Sequence, residues 1–170
     1  MSALVDASPA RDLATALVDA GFAPFYGTPC GVLAPLYATL EAEADLVTVP
    51  REDNAVGMAA GAALAGAKPA VLMQNSGFGQ SVNALASLIV PYRIPVLLIV
   101  SLRGQDPDRT AENRPMGEAT EPILRLLGLP VRRFEPADRA AGQVAELAEL
   151  IESDTVAALT IAPDAFGWTA

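Results

Sequence analysis

Short apolar runs alternate along this chain with longer stretches whose apolar positions recur at helical spacing, and glycine, proline or a capping residue marks each switch. The runs "APFYG", "DLVTVP", "PAVLMQ", "IPVLLIVS", "VRRFE" and "TVAALTIAP" read as strands. Ser8 followed by Pro9 marks a helix start, and the pattern over 9–20 stops at Gly21. Further helices are expected over 31–42, over the small residues leading to Gly66, and over 79–90, 117–128 and 137–153, with Pro122 placed in the first turns of its helix. The strands are continuous apolar runs, not alternating ones, as a parallel sheet covered on both faces requires. The expectation is a doubly wound α/β fold, its sheet mainly parallel with helices on both faces, forming one domain over residues 1–170. Residues 103–116, "RGQDPDRTAENRPM", make the only long loop, and it is charged.

Composition narrows the chemistry. With 52% hydrophobic residues in 170, the chain has material for one proper core. A net charge of −9 opposes binding to nucleic acid or to an anionic membrane surface, so neither is expected as a partner. The single cysteine, Cys30, forbids an internal disulfide and suits a reducing compartment. The N-terminus lacks a signal-peptide pattern and no apolar stretch is long enough to span a bilayer, so a cytoplasmic location is expected. There is no histidine, so neither a Ser-His-Asp nor a Cys-His apparatus, nor the usual zinc site, can be assembled from this chain.

In open α/β sheets ligands bind at the carboxyl ends of the strands, and three turns there stand out: "GTPCG" at 27–31, "PREDN" at 50–54 and "QNSGFGQSVN" at 74–83. Read alone, Glu52 is either a site carboxylate or a helix-terminal acid stabilised by the macrodipole by about 0.3–1 kcal/mol. Asp53 reads as a capping residue together with Asn54. Gly57, Gly61 and Ala65 recur at spacing four, which suits either a close subunit interface or tight packing on the protein's own sheet. The "SGFGQS" turn half matches a dinucleotide fingerprint, but Val82 occupies its third glycine position and no acid follows at the ribose-binding distance. A nucleotide-binding domain is therefore the weakest of the readings.

"REDNAVGMAAGAALAG" and "AVLMQNSGFGQSVNALASL", with "GTPCG" before them, resemble the pyrimidine-binding domain of thiamine-diphosphate enzymes, and especially the small alpha subunits of phosphonopyruvate and sulfopyruvate decarboxylases. The resemblance runs from about Gly21 to Leu129. It implies that Glu52 is catalytic and cofactor-binding: its carboxyl, hydrogen-bonded to the aminopyrimidine, favours the imino form that takes the thiazolium proton and creates the nucleophilic ylide. It further implies that Asn75, Ser76 and Gly77 line the cofactor cavity, and that Thr28, Cys30, Gln80 and Asn113 approach the substrate.

The same resemblance accounts for what is missing. Such enzymes hold the diphosphate through Mg²⁺ with a GDG motif and a downstream asparagine, and this chain contains no Asp-Gly pair. No metal ligand is assigned to it. The implied partner is a separate beta subunit carrying the diphosphate-binding domain and Mg²⁺, in an α2β2 or larger assembly acting on a small 2-oxo acid. Two departures are notable: Asn113 stands where the family places a histidine, and Gly31 where it places a serine. Arg103, Arg109 and Arg114 offer guanidinium groups for a phosphonate or sulfonate. Decarboxylation is the implied reaction; carboligation and a non-catalytic scaffold or regulatory role are the alternatives.

Overall fold

The computed structural model describes residues 8–169; the N-terminal segment in which a signal pattern was sought lies partly outside them. Six strands form one sheet: β1 (Phe25–Gly27), β2 (Leu46–Thr48), β3 (Ala70–Gln74), β4 (Leu97–Ser101), β5 (Val131–Arg133) and β6 (Ala157–Ile161). Their order is β2-β1-β3-β4-β6-β5 and every pairing is parallel. All five positions of β4 and of β6 are buried, which explains their mainly apolar sequence, and their two polar side chains, Ser101 and Thr160, are each within hydrogen-bonding distance of a partner. The edge strands β2 and β5 are shorter and part-exposed, and β5 ends in Arg132 and Arg133, charges that discourage edge-to-edge pairing.

Helices cover both faces, as expected. Residues of α1 (Ser8–Asp19), α2 (Ala34–Glu43) and α6 (Ala140–Glu152) pack with Leu72, Leu97, Ile99, Leu159 and Ile161 on one side of the sheet. Residues of α3 (Glu52–Leu64), α4 (Asn75–Ala84) and α5 (Arg114–Leu126) pack with Val71, Met73, Leu98, Val100 and Ala158 on the other. Successive strand residues thus feed two separate cores. Because β1 lies between β2 and β3, the chain turns one way after β1 and the other way after β2. The crevice this opens at the strand carboxyl ends is bordered by Thr28, Glu52 and Asn75.

Three boundaries differ from the sequence reading. Helix α4 starts at Asn75, directly after β3, so "NSGFG" is its first turn and not a free loop; Leu85–Ile89 continue it as one π-helical turn. Helix α5 starts at Arg114 with a proline in its first turn, which shortens the long loop and leaves Pro122 in the helix interior, not in its first turns. Pro122 has no N–H for the Glu118 carbonyl, but both residues are exposed, so water can take that carbonyl. Helix α2 starts at Ala34, after a turn over 31–33.

Candidate active site

Arg51 is extended, with φ −146° and ψ 143°, and delivers Glu52 as the first residue of α3. The two acids then part company. Asp53 accepts both arms of the Arg51 guanidinium, at 3.0 and 2.9 Å, and the Asn54 amide at 3.0 Å. The Arg51 fork holds the Asp53 carboxyl below its ordinary range and raises Arg51 in return. Asp53 is therefore engaged at the surface by Arg51. Glu52 turns inward: the Thr28 hydroxyl donates to its Oε1 at 2.9 Å. Among the described residues no hydrogen bond reaches Oε2.

Helix α4 makes room for that carboxyl. A Cβ built on Gly77 would collide with Cγ, Cδ and Oε1 of Glu52, so the glutamate occupies the volume a side chain at 77 would need. Gly79, two residues further on, meets only the flexible end of Met116, its methyl at 3.2 Å. The turns after β1, β2 and β3 thus converge on one carboxylate. Behind them the Tyr37 hydroxyl reaches the Thr28 carbonyl at 2.6 Å and the Leu72 carbonyl at 3.1 Å. Burial, then the nearby Cys30, Glu52 and Glu41, push the Tyr37 phenol far up, so it stays a protonated donor. Gly27 has no Cβ because the Tyr37 hydroxyl fills its place.

The turn after β4 closes the crevice. Asn75 is 1% exposed, and its amide donates to the Arg103 carbonyl at 2.7 Å. Cys30 Sγ lies 3.2 Å from Ser101 Oγ, both buried, so the thiol is engaged across the sheet. Asp108, 2% exposed, organises the loop: it accepts from Arg103, the Gly104 amide, the Thr110 amide and hydroxyl, and Asn113 at 3.1 Å. Arg103 also stacks over Trp168, 4.6 Å from the ring centroid. Arg109 pairs with Asp106 and Arg114 with Glu118, both at 3.3 Å. All three loop arginines considered for an anionic substrate therefore already face a carboxylate. A cleft of about 480 Å³ lies among Gly104, Gln105, Asp106, Asp108, Arg109 and Arg114.

Residues 8–118 match the family described as "Thiamine pyrophosphate enzyme, N-terminal TPP binding domain". The chain belongs to this family. It is 41% identical over 134 residues to the sulfopyruvate decarboxylase subunit alpha of Methanothermobacter thermautotrophicus, covering 78% of this chain and 81% of that protein. The subunit of the same name from Methanocaldococcus jannaschii is 39% identical over 127 residues, covering 74% and 75% respectively. The phosphonopyruvate decarboxylase of Streptomyces viridochromogenes is 37% identical over 121 residues, which span 70% of this chain but only 28% of that longer protein. Among solved structures, a 2-oxoglutarate:ferredoxin oxidoreductase from Magnetococcus marinus superposes with a TM-score of 0.69 over 93% of this chain and 29% of its own, at 13% identity, a likeness of fold.

Within this thiamine-pyrophosphate domain, then, Thr28, Glu52 and Gly77 come together, Asn75 braces the loop, and Ser76 and Gln80 are exposed at the outer side of α4. Ser76 accepts from Gln74 at 2.8 Å. Asn113 is tied to Asp108. Tyr37, Ser101 and Asp108 escaped the sequence reading: the first two sit in apolar runs, and the third lies in a loop whose charge reads as solvated. The glycine stripe on α3 is also resolved. Gly57 and Gly61 are exposed with nothing near their missing Cβ positions, while Ala55, Val56, Ala59 and Ala60 face the core. The stripe does not pack on the protein's own sheet. Met58 and Leu64 are exposed on the same helix, at 42% and 76%. Among the described residues no group of three or more potential ligands is placed to hold a metal, and no helix is long and apolar enough to cross a membrane.

Asp108 yields a prediction for stability. Burial opposes its ionisation, but Arg103, Thr110 and the Gly104 amide outweigh burial and hold the carboxyl well below the usual range. A depressed folded value stabilises above the unfolded value, near pH 4, and that stabilisation is lost as pH falls through the folded one. Asp108→Asn should cost about 3 kcal/mol at pH 7, since it leaves Arg103 without its buried partner, and the difference from wild type should shrink below about pH 4. Urea unfolding at pH 7 and in acid measures both; equal stability at pH 7 would show that Asp108 does not lock the loop.

Proposed function

We propose that this chain is a single-domain alpha subunit of a two-chain, thiamine-diphosphate-dependent decarboxylase acting on a 2-oxo acid with a second anionic group, of sulfopyruvate or phosphonopyruvate type. The observation that carries the proposal is the Glu52 carboxyl, held at the crevice between the Thr28 hydroxyl and the cradle left by Gly77. That cradle fits an aminopyrimidine partner, because Glu52 is fixed at one oxygen and keeps the other for a ligand. Glu52 would hold the aminopyrimidine and share a proton with its ring nitrogen. Ser76 and Gly77 would form the adjoining wall, with Asn75 acting through the loop it braces. Cys30, Gln80 and Asn113 are the candidates for the substrate side.

Thiamine diphosphate, when bound, supplies a carbon nucleophile for the ketone and an acceptor for the electrons released with CO₂. Mg²⁺ and the diphosphate belong on a separate beta subunit bearing the GDG motif that this chain lacks, in an α2β2 or larger assembly. Two observations support a partner: the relatives that match over most of their length are themselves named as subunits, and the outer face of α3, beside Glu52, is exposed and built of small and apolar residues.

Purifying the chain, tagged at native level, tests the partner directly. A stoichiometric companion carrying GDG and a downstream asparagine is expected; recovery of the intact chain without one would favour a scaffold role. In the complex, omitting thiamine diphosphate or Mg²⁺ should abolish CO₂ release from the 2-oxo acid. Product analysis separates simple decarboxylation, which releases an aldehyde, from carboligation, which yields a longer hydroxyketone.

A further inference from the structure

The GTPCG turn offers Thr28 as a substrate contact by sequence, yet the residue is 7% exposed and its hydroxyl is already committed to Glu52 Oε1 at 2.9 Å. A carboxylate oxygen only accepts, so Thr28 is the donor. Its backbone is held as firmly. The Thr28 amide donates to the Leu72 carbonyl at 3.4 Å, and the buried Tyr37 hydroxyl spans the Thr28 and Leu72 carbonyls at 2.6 and 3.1 Å. Gly27 clears the space that Tyr37 needs, as Gly77 clears the space that Glu52 needs. The β-branch of threonine restricts its χ1, so a fixed backbone fixes the hydroxyl as well.

We propose that Thr28 is the positioning residue for Glu52: anchored through Tyr37 to Leu72 in the middle of β3, its hydroxyl pins Oε1 against the first turn of α4 and leaves Oε2 as the oxygen that faces the ligand. The proposal rests on the reading of Glu52 as the proton-sharing carboxyl. Without the pin, the carboxyl can rotate about its last torsion and either oxygen can turn away; with it, one orientation is prepared before any ligand arrives. Tyr37 acts one step further back and touches neither the carboxyl nor the ligand.

The test uses the chain assembled with its native partner subunit. Thr28→Val keeps the side-chain shape and removes the hydroxyl; Thr28→Ser keeps the hydroxyl. Valine should lower kcat by about 10- to 100-fold, the range of a lost hydrogen bond to a charged group, with KM for the 2-oxo acid within about twofold. Serine should restore kcat to within about threefold of wild type. In crystal structures of the same complexes the Glu52 carboxyl should be rotated or spread over two orientations in the valine variant and single in the serine variant. The valine effect should vanish in a Glu52→Gln background, where the carboxylate is already gone. If valine compromises folding, Thr28→Ala against Thr28→Ser makes the same comparison. Wild-type kcat and an unmoved carboxyl in Thr28→Val, alongside an inactive Glu52→Gln, would overturn the positioning role alone. Equal losses in the valine and serine variants would also overturn it, since they would mark packing and not the hydroxyl. An active Glu52→Gln would instead overturn the reading on which the proposal rests.

Discussion

Replacing Glu52 with glutamine should lower turnover of the assembled enzyme by about 10²- to 10⁴-fold, the usual contribution of a positioned proton-transfer group, while leaving the chain folded and the complex intact. Glutamine has nearly the same shape, and its side-chain oxygen can still accept from Thr28, so the packing around α3 and α4 should survive. What is lost is an oxygen able to share a proton with the ligand. Glu52 is also the first residue of α3, where an acid favours the helix, but removing that charge costs only about 0.3–1 kcal/mol. Steady-state kinetics and a melting curve therefore separate the two roles. A large loss of turnover with little change in melting supports the catalytic role, whereas a small loss of both would leave only the helix-terminal one.

Gly77→Ala should be nearly as damaging, for a reason that side-chain chemistry does not suggest. At an ordinary helical site glycine to alanine is stabilising by about 0.5–1 kcal/mol, so a glycine kept at 77 works against the preference of α4. The added methyl would occupy the position of the Glu52 carboxyl. Either α4 shifts, at a cost of about 1–3 kcal/mol, or the glutamate swings out of its cradle. A displacement of about 1 Å at a reacting group can cost 10²-fold, so turnover should fall by about that factor or more. Gly79→Ala is the matched control. Its methyl meets the flexible end of Met116 at 3.2 Å, and both stability and turnover should stay close to wild type. Equal behaviour of the two alanine variants, by melting and by kinetics, would show that the close approach of Glu52 to α4 is unimportant.

Much of this architecture was legible in the sequence because its signals are local. Continuous apolar runs announced the buried parallel strands, Gly21 and Gly66 announced helix ends, and both adopt the positive φ that favours glycine there. The three strand-end turns were legible as a group because α/β topology gathers such turns on one edge. What the sequence could not carry was the direction of each side chain. Thr28 reads as a substrate contact, yet it faces Glu52; the loop arginines read as free cations, yet each faces a carboxylate. Asp53 and Glu52 are neighbours of like type, and only the extended geometry at Arg51 sends one to the surface and the other inward. The start of α4 was missed for a related reason. Glycines at 77 and 79 read as a strand-to-helix turn, because the long-range contact that makes Gly77 useful inside a helix involves a residue from another element.

The central claim is that this chain contributes the proton-sharing half of a divided thiamine-diphosphate site. The most direct test is CO₂ release from sulfopyruvate and from phosphonopyruvate by the complex purified from its native source, measured with and without thiamine diphosphate and Mg²⁺, for wild type beside Glu52→Gln. The account predicts cofactor-dependent release with at least one of the two acids, largely abolished by the substitution. Cofactor-independent release, or a Glu52→Gln complex as active as wild type, would contradict it.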